Sequence, residues 1–114
     1  MRTIIAGSRD ITDSEFLNSA ISECGWTISE VISGCANGAD KLGEIWAAKN
    51  NIPIKKFPAN WSKWGKSAGM IRNAEMLKCG QALIALWDGK SRGTKNMIDI
   101  SKNGGIRVFV KLRQ

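Results

Sequence analysis

Ala82-Leu83-Ile84-Ala85-Leu86-Trp87 contains no polar side chain. A strand that keeps one face in water alternates apolar and polar residues; this one has nothing to offer water on either face. It therefore reads as an interior strand of a parallel sheet, with helices covering both sides. On its N-terminal side, Ala68 to Cys79 predicts a helix with Ile71, Ala74 and Leu77 facing inward and Gly80 ending it. On its C-terminal side, a helix is expected from about Gly93 to Lys102, broken by Gly104-Gly105. Ile106-Arg107-Val108-Phe109-Val110 follows as the last strand.

The same alternation extends back to the start of the chain. Thr3-Ile4-Ile5-Ala6 is the first strand, and Thr12-Asp13-Ser14-Glu15 has the pattern of a capping box. Phe16, Leu17, Ala20, Ile21 and Cys24 then recur at helical spacing until Gly25. Glu30-Val31-Ile32-Ser33 is the second strand. Gly38 to Asn50 places Ala39, Leu42, Ile45 and Trp46 on one helical face. Pro53-Ile54-Lys55-Lys56-Phe57 is a third strand, more polar, and its proline suits an edge. Residues 58–67 read as a loop rich in Trp and Lys.

Strands and helices thus alternate throughout. With right-handed crossovers this predicts an α/β fold: a single doubly wound, parallel, five-stranded Rossmann-like sheet of order 3-2-1-4-5. The 114 residues suffice for one domain, 1–114, and are too few for two. No apolar run approaches the roughly 18 residues that span a bilayer, and no secretory signal pattern opens the chain. A cytoplasmic protein without a membrane partner is expected. The three cysteines, Cys24, Cys35 and Cys79, lack C-x-x-C spacing, and there is no histidine. No metal site, disulfide framework or His-dependent catalytic unit is expected, nor any cofactor. Any catalysis would rest on Asp, Glu or Lys.

The net charge of +7 is unevenly placed. Residues 1–50 hold four Lys/Arg against seven acids; residues 51–114 hold thirteen against three. That asymmetry is either a solvated surface or the footprint of an anionic partner, a small phosphorylated molecule or a nucleic acid.

In open parallel sheets, ligands sit beyond the carboxyl ends of the strands where the strand order reverses, here between the first and fourth strands. The turns at that rim have distinctive compositions. Gly7-Ser8-Arg9-Asp10 offers a flexible backbone, a hydroxyl and a guanidinium suited to phosphate, or else a plain turn with a surface Arg–Asp pair. Ser33-Gly34-Cys35-Ala36-Asn37-Gly38-Ala39-Asp40 leads into a helix N-terminus. Asp40 there either complements the helix dipole or accepts hydrogen bonds from a ribose or base. Trp87-Asp88-Gly89-Lys90-Ser91-Arg92-Gly93-Thr94 brings amides, a hydroxyl and cations to another helix start, the strongest local signal for phosphate. The Walker spacing of a nucleoside-triphosphate hydrolase is absent. Arg72 and Asn73 face either the cleft or solvent. Trp61 and Trp64 either stack on a ligand or pack the loop and subunits together.

Four segments carry a family resemblance. Ile4-Ile5-Ala6-Gly7-Ser8-Arg9-Asp10, the stretch Ser33 to Asp40, Gly69-Met70-Ile71-Arg72-Asn73-Ala74-Glu75-Met76 and the stretch Leu86 to Thr94 resemble the YspA / YpsA-related branch of the SLOG superfamily. The resemblance implies a Rossmann-like domain that binds nucleotides or nucleotide-derived ligands, with self-association common among relatives, so a homo-oligomer is expected. It also implies distant similarity to the Lonely Guy phosphoribohydrolases and the DNA-processing protein DprA, and a place in bacterial or phage conflict. Gly93-Thr94 matches the Gly-Thr of the Lonely Guy motif. The glutamate that supports N-glycosidic cleavage there corresponds to Met97 here, and a thioether is neither acid nor base.

The expected function is binding of a phosphorylated nucleotide-type ligand, as a sensor or sequestering module. The ligand-binding candidates are Gly7, Ser8, Arg9, Gly34, Asn37, Gly38, Asp40, Arg72, Asn73, Trp87, Asp88, Ser91, Gly93 and Thr94. The alternatives are a nucleoside-monophosphate N-glycosidase, with Asp40, Glu75 and Asp88 as catalytic candidates, and nucleic-acid binding through the basic second half.

Overall fold

A computed structural model describes residues 1–114. The chain runs β1 (Arg2–Gly7), α1 (Ser14–Cys24), β2 (Glu30–Ser33), α2 (Ala39–Lys49), β3 (Ile54–Lys56), α3 (Trp61–Trp64), a 3-10 turn (Gly65–Ser67), α4 (Ala68–Cys79), β4 (Ala82–Trp87), α5 (Arg92–Asn103) and β5 (Arg107–Leu112). All five strands are parallel, in the order β3-β2-β1-β4-β5, as the alternation of elements predicts. This is a Rossmann-like α/β sheet.

β4 lies between β1 and β5, and Ala82 through Leu86 are fully buried. Its side chains divide between two cores, as strand periodicity demands. Ile84 and Leu86 join Ile5, Leu17, Leu42 and Ala47 beneath α1 and α2. Leu83 and Ala85 join Ile4, Ile32, Met76, Met97 and Ile98 beneath α4 and α5. Each fully buried Ile or Leu contributes about 1.5–3 kcal/mol relative to exposure, so the doubly covered strands dominate the fold's stability. β3 and β5 form the edges, and no helix is long and apolar enough to cross a membrane.

Local details depart from periodicity. The α1 cap is Asp13, whose side chain accepts from the Glu15 N–H at 3.0 Å, rather than a box opened by Thr12. On α2, Gly43 and Ala47 take the buried face, while Ile45 is 51% exposed. A Cβ on Gly43 would lie 2.9 Å from the Ile5 Cβ, so α2 crosses β1 too closely for a larger residue. α4 buries Ala68, Asn73 and Met76 and leaves Ala74 exposed, a rotation that turns the polar Asn73 inward. The segment read as a loop contains the short α3, capped by Asn60 Oδ1 accepting from the Lys63 N–H at 3.0 Å.

Candidate functional site

The turns after β1, β2 and β4 meet where the strand order reverses. Gly7 pairs with Leu86 across the sheet; a Cβ there would stand 2.0 Å from the Leu86 carbonyl oxygen and 2.8 Å from the Ala39 Cβ. Gly38 has φ +78°, and a Cβ on it would lie 2.4 Å from the Arg9 carbonyl oxygen. Only glycine lets the first turn seat against the start of α2 at this distance. The Ala39 N–H donates to the Ser8 carbonyl at 3.3 Å.

Ser8 is buried, and its Oγ accepts from the Asp88 N–H at 3.1 Å. Asp88 in turn organises the β4 turn: its Oδ1 accepts from the Ser91 and Lys90 N–H groups, each at 2.8 Å. Those two bonds hold its carboxyl below the usual carboxylate range. Ser91 caps α5, sharing a hydrogen bond with Thr94 Oγ1 at 3.0 Å. Trp87 Nε1 donates to the Ser91 carbonyl at 3.1 Å. From α4, Asn73 Nδ2 donates to the Gly93 carbonyl at 3.2 Å and to Asn96 Oδ1 at 3.0 Å. The α5 start is thereby fixed from two sides; the Ser91 and Thr94 N–H groups are taken by Asp88 Oδ1 and Ser91 Oγ, and those of Arg92 and Gly93 have no acceptor within the protein.

Between these elements lies a cavity of about 820 Å³. Of the residues expected at a ligand site, Gly7, Ser8, Arg9, Asp40, Arg72, Asn73, Asp88, Ser91, Gly93 and Thr94 line it. Gly34 and Asn37 line a smaller cavity of about 250 Å³ that shares Arg9, Ala36, Trp61 and Arg72 with the first. Gly38 and Trp87 line neither; their places in the fold are the close turn and the support of Ser91. Glu75 is exposed and outside both cavities, and Met97 lines the large one.

Four cations, Arg9, Lys66, Arg72 and Arg92, line the large cavity, and none of them forms a salt bridge. Arg72 is aimed by its Nε donating to Asn73 Oδ1 at 3.1 Å and its Nη1 donating to the Gly34 carbonyl. Asp10 is neutralised by Arg113 at 2.8 Å. Asp40 is only 4% exposed, and its Oδ2 accepts from the Ala36 N–H at 3.1 Å. Burial pushes its carboxyl up to about 6, and Glu44 adds to the rise, against the Ala36 N–H, Arg72 and Arg9. No group of three or more Cys, Asp or Glu side chains is placed to hold a metal ion.

The model of the YspA, cpYpsA-related SLOG family (YAcAr) matches residues 1–64, more than half of the chain. The chain belongs to the YspA, cpYpsA-related SLOG family. Within this SLOG protein, the matched segment supplies the β1 turn, the β2 turn and Trp61, while the α5 start lies beyond it. The Gene 61 protein of Mycobacterium phage D29 is 33% identical over 85 residues, covering 69% of this chain and 68% of that protein. No solved structure matches the chain significantly.

The sequence reading includes Arg92 among the cations of the turn before α5 but assigns no site role to Lys66, Met70 or Asn96, which also line the cavity. Arg92 and Asn96 stand four apart on α5, a spacing that puts both on one face, so that signal was present. Lys66 had none, because the 3-10 turn that holds it leaves no periodic pattern; Met70 lies on the expected α4 helix, outside the inward stripe of Ile71, Ala74 and Leu77.

Proposed function

We propose that this SLOG protein binds a phosphorylated nucleotide or nucleotide-derived ligand in the large cavity, acting as a sensor or sequestering module. The observation that carries this reading is the meeting of the α5 start, Ser91 to Thr94, with four cations that have no carboxylate partner. Cations and free amides gathered in one concavity suit an anion far better than water. The cavity volume falls within the usual range for small-molecule sites. The phosphate rests on the amides of Arg92 and Gly93, with Arg92 and Lys66 beside it. The apolar surfaces of Trp61 and Met70 at the mouth suit a base. Family membership agrees with a nucleotide-related ligand.

A panel of nucleoside mono- and diphosphates, cyclic nucleotides and ADP-ribose tests it by thermal shift. At least one compound should raise the unfolding temperature in a concentration-dependent way, and Arg92→Ala should reduce the rise. A panel without effect overturns the reading.

One observation favours turnover as a second reading: Asp40, in the same cavity, has its carboxyl near 6, where it can exchange a proton at neutral pH. On this reading the protein cleaves the N-glycosidic bond of a nucleoside monophosphate. Free base released from AMP, and lost in Asp40→Asn, would establish it; no base after prolonged incubation excludes it.

A further inference from the structure

Asp40 is held in an unusual state for a residue of the fold alone. It is 4% exposed, it forms no salt bridge, and its Oδ2 is used by the Ala36 N–H. Its Oδ1 accepts nothing from the protein, yet it is not sealed away from the cavity that Asp40 lines. The charged groups around it are Arg72 on α4, Arg9 in the β1 turn and Glu44 one turn further along α2. Arg72 is committed to the Gly34 carbonyl and to Asn73. Gly34 keeps the space open: a Cβ there would lie 2.8 Å from Asp40 Oδ2 and 2.5 Å from Arg72 Nη1.

Tying down the Ala36 N–H requires no charge; an Asn, Ser or Thr oxygen would accept the same bond. A buried carboxylate without an ion pair costs folding free energy, and Glu44 raises that cost. Polar groups retained at such cost inside a cavity mark a binding role. We propose that Asp40 is a specificity-determining residue whose free Oδ1 accepts a hydrogen bond from a sugar hydroxyl, so that the site takes ribonucleotides over their deoxy counterparts. This inference rests on the nucleotide-binding reading above.

The chemistry of the surroundings selects the group. Two guanidinium groups nearby disfavour a cationic ligand atom, which leaves a neutral donor, a hydroxyl or an amino N–H. The position selects the hydroxyl. Asp40 is a buried lining residue of the same cavity as the α5 start, Trp61 and Met70, so a ligand with its phosphate on α5 and its base against Trp61 and Met70 leaves its sugar as the part to meet Asp40. A buried acceptor left without its donor discriminates strongly against the analogue that lacks it.

Calorimetry on the full chain with AMP, 2′-deoxy-AMP, 3′-deoxy-AMP and IMP tests the inference in the unaltered protein and in Asp40→Asn. AMP and IMP should bind alike, and at least one deoxy compound should bind tenfold or more weakly. In Asp40→Asn, whose folding is checked by thermal unfolding, that difference should shrink to within threefold. Equal binding of AMP and both deoxy forms overturns the inference while leaving the nucleotide reading intact. A preference for AMP over IMP with no deoxy penalty, or a deoxy penalty that survives in Asp40→Asn, also overturns it. If neither AMP nor IMP binds, the nucleotide reading fails for these ligands and the inference falls with it.

Discussion

The backbone N–H of Asp88 donates to Ser8 Oγ at 3.1 Å, joining two turns that lie 80 positions apart in the chain. This bond closes the rim of the sheet at the point where strand order reverses, and the candidate site is built on it. Ser8→Ala removes the acceptor and leaves a partly buried N–H unpaired. It should cost about 1–3 kcal/mol of stability, measured by chemical denaturation. The loss should be accompanied by weaker ligand binding, since the β4 turn is no longer tied to β1.

Gly7 and Gly93, two of the glycines that line the cavity, should respond oppositely to the same change. A Cβ on Gly7 meets the Leu86 carbonyl oxygen at 2.0 Å, whereas one on Gly93 meets no atom within 4 Å. Gly7→Ala should destabilise the protein by about 3 kcal/mol or more, read from its melting temperature. Gly93→Ala should leave stability unchanged or raise it by up to about 1 kcal/mol, because alanine is the better helix former. Its methyl group stands where the ligand's phosphate is placed, so nucleotide affinity should fall at least tenfold.

Stability should fall as pH rises past the ordinary carboxylate range. The Asp40 carboxyl is raised to about 6 in the folded protein from an ordinary value of 3.8. Between these values the folded state binds the proton more strongly than the unfolded chain does, so deprotonation disfavours folding. At about 1.4 kcal/mol per tenfold in proton affinity, the penalty at pH 7 reaches about 3 kcal/mol. Asp40→Asn should therefore be the more stable protein at pH 7, by up to that amount. The gap should close below about pH 4, and denaturant titrations at the two pH values measure it.

Asn73 joins α4 to the start of α5 by donating to both the Gly93 carbonyl and Asn96 Oδ1. Asn73→Leu keeps the volume and removes both donors. The expected cost is about 1–3 kcal/mol, with faster hydrogen exchange in the first turn of α5.

Arg92 is exposed and free of salt bridges, so Arg92→Ala should leave the melting temperature of the unliganded protein unchanged within error. Nucleotide binding should weaken and lose part of its dependence on salt, since a cation that screens with ionic strength has been removed.

The sequence by itself determined the architecture. The wholly apolar stretch from Ala82 to Trp87 demands cover on both faces, and strands alternating with helices leave one economical topology for a parallel sheet. It also determined the rim at which Gly7, Ser8, Arg9 and the Ser91 to Thr94 turn gather, because strand order fixes which loops are neighbours. Only the tertiary structure decided what each residue does there. Periodicity placed Ile71, Ala74 and Leu77 inward on α4; Leu77 does pack against the core, but Ala74 is exposed and Asn73 and Met76 are buried, because α5 offers Asn73 hydrogen-bond partners and the sheet offers Met76 a core. The close turn at Gly38 and the support that Trp87 gives Ser91 are likewise visible only in three dimensions. The burial of Asp40, and with it the pKa that sets its chemistry, arises from contacts among α2, α4 and two turns distant in sequence. Local pattern records which residues are apolar and how often they recur; the protonation and pairing of a side chain depend on neighbours brought to it only by folding.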